Sequence, residues 1–191
     1  MRFREFKDNW SLICLNQILN ISIKKNGFKY TKKNVYSVSK EYGIINQIEL
    51  LGRSFAGKNL SKYNIIQNND IVYTKSPLAT CPFGIIKVNR KDEGIVSTLY
   101  GVFKAKLNFY PIFLEYLFSL DSRLNNYLKP LVHIGAKHTM NISNFNFLKG
   151  SINTPNSLLE QIKIANFLSL IDKQIELQNK IIKEYKLLKK K

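Results

Sequence analysis

SLLEQIKIANFLSLIDKQIELQNKIIKEYKLLKKK, residues Ser157 to Lys191, contains neither glycine nor proline and decides how the rest of the chain is read. It predicts one long helix. Ser157 and Glu160 have the spacing of a capping box, in which a serine oxygen and a glutamate carboxylate satisfy amides left orphaned at a helix start. Pro155 just upstream favours an extended entry. Beyond the cap, Ile164, Leu168, Ile171, Ile175, Gln178, Ile182 and Tyr185 recur at alternating steps of four and three. That is the spacing of a coiled-coil seam, with Leu168, Ile175 and Ile182 at a and the other four at d. Phe167, Ile181 and Leu188 widen the stripe. At about 1.5 Å per residue the segment is roughly 50 Å long, more than the core of a domain this size needs. The seam therefore predicts a partner helix, and Gln178 is a polar seam residue of the kind that sets register.

With 191 residues, 45% of them hydrophobic, the chain can bury a substantial core, and it reads as a domain over 1–154 followed by a helix over 155–191. Met1 to Asp8 is charged, and no uncharged apolar run of about 18 residues occurs, so neither a signal peptide nor a membrane span is expected. Cys14 and Cys81 are too few for a disulfide framework and lack metal-site spacing; they read as ordinary thiols in a reducing cytoplasm.

Charge is the strongest statement of the composition. The formal net charge is +17, and residues 1–150 carry 22 Lys and Arg against 9 Asp and Glu. Such an excess points to a polyanion, because lysines that neutralise phosphates release condensed counterions. Abundant Lys, Asn and Ile beside scarce Arg also fit an AT-rich genome, which weakens the argument from charge alone.

Within the first part, Lys24 to Lys33 (KKNGFKYTKK) places five lysines around Gly27, Phe28 and Tyr30 and reads as an exposed basic loop with interleaved aromatics. Val35–Val38, Ile44–Leu51, Asp70–Lys75, Phe83–Val88 and Ile95–Lys104 have strand composition. Gly52 to Lys58 (GRSFAGK) fails as a P-loop, since Asn59 stands where Ser or Thr is required. Ser76 to Pro82 (SPLATCP) is an irregular loop. Tyr110 to Leu128 predicts a second helix, with Pro111 in its first turn and Phe113, Leu117, Leu120, Leu124 and Tyr127 on one face. Trp10 is expected in the core.

No constellation for chemistry stands out. No Cys or carboxylate near His133 and His138 completes a zinc set, so no metal site is expected. Asp70 with Lys75 is the one pair suggestive of a nuclease centre, and Glu160 and Lys163 are accounted for by capping and exposure. No glycine-rich turn for a nucleotide or methyl donor follows a strand.

The run Pro155, Glu160, Gln161, Lys163, Ile164, Ala165, Leu168, Ile171, Asp172, Ile175 resembles the conserved helical region of type I restriction-modification specificity subunits. Gly135, Ala136, Lys137, Met140, Ile142 and Ser143 resemble the segment that closes a target recognition domain in that family. Asn69 and Asp70 before Ile71–Tyr73, and Gly94–Tyr100, fit as well. The resemblance implies an α+β fold, with a mixed or antiparallel sheet in the recognition domain and one long coiled-coil helix after it. It also implies a non-catalytic DNA-binding subunit. The loops that would meet double-stranded DNA supply Lys32, Lys33, Arg53, Lys58, Lys75, Ser76, Thr80, Arg90, Lys91, Lys137 and His138. The 75–82 loop lacks the glycine-containing pattern common there in relatives, which puts its base contacts in question.

A full specificity subunit has two recognition domains and two antiparallel helices, whereas this sequence has one of each. The resemblance then implies a half subunit whose seam residues pair with a second copy to read a bipartite target and dock methyltransferase subunits. S-adenosylmethionine, ATP and Mg would sit on the methyltransferase and restriction partners, not on this chain. A truncated remnant of a full-length subunit, a basic structural protein that forms oligomers, and an autonomous DNA enzyme are the alternatives.

Overall fold

In the computed structural model, residues 2–75, 77, 81–134 and 140–189 are described. The chain begins with β1 (Ser11–Cys14), α1 (Leu15–Ile18) and β2 (Leu19–Ile21). It continues through β3 (Tyr36–Ser39), β4 (Gly43–Asn46), α2 (Gln47–Leu51), β5 (Asn64–Ile66), β6 (Ile71–Tyr73), β7 (Ile86–Val88), β8 (Gly94–Val96) and β9 (Gly101–Ala105). Helices α3 (Pro111–Leu117) and α4 (Asp121–Leu128) follow, then β10 (His133–Ile134), β11 (Met140–Asn141), α5 (Asn144–Phe147), β12 (Ser151–Thr154) and α6 (Leu158–Leu188).

A four-stranded antiparallel sheet in the order β2-β9-β6-β7 divides the molecule into layers. Its central strands are apolar on both faces. Side chains alternate across a strand, so Ile71, Tyr73 and Phe103 point to one side and Val72 and Val102 to the other. The first side meets α3 to α6, where Phe147 stacks on Tyr73 and Phe103 with ring centroids 4.9 and 4.7 Å away. The second side meets an outer layer: Ile44, Ile66 and Val96 of the β3–β4 hairpin and the β5–β8 pair pack on Val72 and Val102. A small cluster of Val35, Ala56, Ile65 and Ile95 fills the outer layer itself.

The start of the chain is folded onto the start of α6. Strand β1 pairs antiparallel with β12, immediately before the helix. Trp10 packs edge-on against Phe113, Phe3 meets Phe167 at 5.9 Å, and Lys163 pairs with Glu5. The antiparallel sheet, the helices and the long terminal helix agree with the fold class expected from sequence.

Several local expectations are corrected. Tyr110 to Leu128 is two helices, broken at Phe118–Leu120, because Phe118 turns into the core and Asp121 opens a second helix with a carboxylate in its first turn. Ile44 to Leu51 changes from strand to helix at Asn46, whose side chain accepts from the Ile48 N–H at 2.9 Å as an N-cap. Ile95 to Lys104 is likewise two strands, β8 and β9, with a turn between.

Only half of the expected capping box forms. Ser157 Oγ accepts from the Glu160 N–H at 3.4 Å, but the Glu160 carboxylate, 1% exposed, accepts instead from Trp10 Nε1 at 3.0 Å and lies 3.5 Å from Arg2 Nε. Glu160 is thus a buried tie to the N-terminal segment. Its neighbour Gln161 accepts from the Tyr110 N–H and donates to the Pro155 carbonyl, both at 2.9 Å, fixing the entries of α3 and α6 together.

Candidate nucleic-acid interface

The outer layer presents a built basic surface. Asn26 is buried, and its Oδ1 accepts from the Tyr30 N–H at 2.7 Å while its Nδ2 donates to the Tyr30 and Leu60 carbonyls. Backbone hydrogen bonds from Asn26 and Gly27 to the Tyr63 and Ser61 carbonyls tie the 24–34 loop to the 58–63 loop. Phe28, Tyr30, Thr31 and Lys58 consequently line one concavity. Lys32 and Lys33 lie exposed on a short 3-10 turn, Lys32–Asn34, capped by Thr31 Oγ1. That turn is joined to the hairpin by a hydrogen bond from Asn46 Nδ2 to the Lys33 carbonyl at 2.7 Å.

Arg53 follows α2, and its guanidinium sits 4.7 Å over the Phe55 ring. Gln47 Oε1 holds this loop through the Ser54 hydroxyl and the Phe55 N–H. Lys32, Lys33, Arg53 and Lys58 thus all belong to loops of the outer layer, and none of them has a carboxylate within ion-pair distance among the described residues.

Lys75 stands apart at the end of β6. Its backbone is left-handed, with φ 53°, and its side chain is partly covered. Burial pulls its ammonium below the ordinary lysine value, and the nearby charge of Lys25 adds to that. Lys25 is itself positioned by Asn64, whose Oδ1 accepts from its ammonium at 2.6 Å. Lys25 joins the candidate residues only through the structure, since its separation from Asn64 by 39 positions carries no local signal. Ser76, Thr80, Lys137 and His138 lie outside the described residues.

Arg90 and Lys91 are placed differently. Arg90 donates to Glu115 of α3 at 2.9 Å and lies 5.8 Å from the Tyr116 ring, while Lys87 approaches the other Glu115 oxygen at 3.6 Å. Tyr116 in turn donates to Asp172 of α6 at 2.7 Å. Arg90 thus belongs to a network that braces the sheet against the helices. Lys91 is exposed and 4.0 Å from Glu49.

The Asp70 carboxylate has structural partners. Asp70 pairs with Lys104 at 3.0 Å and accepts from the Gln67 N–H at 2.8 Å; Lys75 is not its partner. Burial raises the Asp70 pKa, opposed by that N–H and by Lys104. No group of three or more His, Cys, Asp or Glu suited to a metal occurs among the described residues.

Along α6 the seam residues divide. Ile164 is buried and Leu168 is packed against the chain's own core. Ile171, Ile175, Ile182 and Tyr185 are exposed, as is Gln178. Thus the stripe free to meet another helix begins at Ile171, not at Ile164.

A basic outer layer, a central sheet and a half-uncovered helix are thereby joined in one chain. Residues 7–187 match the family model described as the type I restriction modification DNA specificity domain. The chain belongs to this family. Members of a DNA specificity family recognise DNA and are not its catalysts. The HsdS subunit from Thermoanaerobacter tengcongensis is similar in fold, with a TM-score of 0.54 at 14% identity over 91% of this chain and 40% of that one. A chain from a structure on complex assembly and conformational transition of the type I R-M system also gives 0.54, at 15% identity over 94% of this chain and 43% of the other. This specificity-domain chain therefore spans about two-fifths of the length of those solved chains. No curated protein matches it in sequence.

Proposed function

We propose that this specificity-domain chain acts as a half-length specificity subunit: its outer layer reads one half of a bipartite double-stranded DNA target, and the free half of α6 pairs with a second copy. Lys32, Lys33, Arg53 and Lys58 hold backbone phosphates, and Lys75 anchors the edge of the footprint. Bases are read by side chains from the surrounding loops.

The observation that carries the pairing is the run from Ile171 to Leu188, where Ile175 and Ile182 are 53% and 49% exposed. An isolated stretch of this length is marginal as a helix in water, so a covering partner stabilises it. Charge favours an antiparallel second copy. The start of the free half carries Asp172 and Glu176 against Lys173, and its end carries Lys180, Lys183, Lys186 and Lys189 against Glu184, so the excess is acidic at the start and basic toward the end. Antiparallel pairing sets the basic end of each helix beside the acidic start of the other. Two-fold symmetry then makes the target an interrupted palindrome, with its gap set by helix length.

Methyltransferase subunits dock on this dimer and supply S-adenosylmethionine, and a restriction subunit supplies ATP and Mg chemistry; the assembly works in the cytoplasm. No helix among the described residues is long and apolar enough to cross a membrane.

The test is the solution mass of the full chain and of a chain ending at Lys173. Ending at Ser157 would strip Ile164 and Ala165 from the core and confound the result. A dimer that becomes a folded monomer on truncation supports the half-subunit reading, and selection of duplexes from a random library then identifies the target. A full-length monomer overturns pairing between copies.

A further inference from the structure

Phe28 is 98% exposed, more than any other large apolar side chain among the described residues. It does not sit on a loose loop. The turn Asn26–Lys29 is closed by the Lys29 N–H donating to the Asn26 carbonyl at 3.0 Å. Gly27, the first central residue, has φ +55°, a conformation that costs other residues strain. The buried Asn26 side chain fastens the turn to Tyr30 and Leu60, and the Gly27 N–H fastens it to Ser61. A rigid frame therefore holds an aromatic ring out in water, with its ordering entropy already spent in folding.

The surroundings select the kind of partner. Lys58 lines the concavity beside Phe28, Lys32 and Lys33 stand exposed a few residues on, and Lys29 is paired with Glu93 at 3.0 Å. A protein pocket that took the ring would have to desolvate this collar of ammonium groups. A base-pair step offers an apolar stack between two rows of phosphates, which matches a ring inside a collar of cations.

We propose that Phe28 is a wedge that inserts at a base-pair step of the bound DNA and partly unstacks it, while Lys32, Lys33 and Lys58 hold the flanking phosphates. This rests on the DNA-recognition reading and adds to it a deformation step. Apolar wedges of this type unstack and kink duplexes, so the sequence at the step is read through its deformability. Pyrimidine–purine steps, which unstack most easily, are the expected place.

The test uses the full-length chain and a duplex that it enriches from a random-sequence library, with 2-aminopurine placed in turn at each step of the half-site. Insertion is expected to brighten the fluorophore at one step. Phe28→Ala should remove that brightening and weaken binding roughly tenfold with an unchanged salt slope, in line with the loss of one aromatic–base contact. Phe28→Leu should keep part of both. Lys32→Ala with Lys33→Ala should weaken binding and flatten the salt slope, yet leave the brightening in place. Because Phe28 touches so little, the Ala variant should melt with the parent chain. A Phe28→Ala chain that binds as tightly as the parent, or a parent complex with no brightened step, overturns the wedge while leaving DNA recognition standing. Failure of the parent chain to enrich or bind any duplex overturns the DNA reading as well. Loss of methyltransferase co-purification in Phe28→Ala, with DNA binding intact, assigns the ring to a protein contact and also overturns the wedge.

Discussion

The first and second halves of α6 are written in nearly the same alphabet of Leu, Ile, Lys and Gln, yet they have opposite surroundings. From Leu158 to Leu168 the helix is gripped: Glu160, Gln161, Ile164 and Ala165 are buried, the N-terminal segment packs on one flank and α3 on the other. Beyond the Tyr116–Asp172 hydrogen bond the helix is exposed almost throughout. A heptad pattern states that a face must be covered, and it does not state by what. Here one pattern is satisfied first by the chain's own domain and then by something outside it.

The largest effect should come from placing a charge in the gripped half. Ile164→Asp combines a lost core side chain with a buried carboxylate and is expected to destabilise the fold by about 4 kcal/mol or more. Urea denaturation followed by tryptophan fluorescence of Trp10 would show it. The same change at Ile175 should leave the midpoint of the domain in place, and equal losses at the two positions would erase the distinction between the halves.

Next in size, Ile171→Glu with Ile175→Glu should abolish self-association at micromolar concentration, because the seam of each copy would receive two charges. Light scattering reads this directly. An unchanged mass would mean that the exposed stripe does not mediate pairing.

A smaller contrast separates the two seam-side glutamines. Gln161→Ala leaves the Tyr110 N–H and the Pro155 carbonyl without their partner and should cost about 2 kcal/mol. Gln178→Ala, in the exposed half, should change domain stability by less than about 0.5 kcal/mol. Comparable values from chemical denaturation would show that Gln178 is also held within the fold.

The smallest expected effect is at the boundary. Tyr116→Phe removes one hydrogen bond to Asp172 and should cost about 0.5–1 kcal/mol. Amide hydrogen exchange should quicken around Asp172 and stay slow around Ile164. Uniform quickening along α6 would mean that the grip is not local.

Much of the fold was legible because the relevant signals are local. Ser157 and the absence of glycine and proline mark the long helix, and the Ile71–Tyr73 and Gly101–Ala105 runs have the β-branched and aromatic content of a sheet core. Asn46 is also a readable cap, although the Ile and Leu residues on either side of it give Ile44–Leu51 the composition of a strand. The break at Phe118–Leu120 had no such marker, since neither glycine nor proline occurs there; it follows from two helical faces turning toward one core.

The candidate interface divides in the same way. Lys32, Lys33, Arg53 and Lys58 could be named from loops rich in cations, but their gathering depends on Asn26, Asn46 and Gln47 joining loops across the outer layer. Arg90 has the same composition signal as they do, and Glu115, 25 positions away in sequence, draws it into the helix brace.

By itself, the sequence determined the helix, its apolar stripe, the sheet-forming runs and the basic excess, because periodicity, capping and charge are properties of residues close together in the chain. Only the tertiary structure decided which part of the stripe is free, which cations remain unengaged, and that Phe28 is held out into solvent. Those outcomes depend on burial and on contacts between distant residues, and neither is encoded in local spacing.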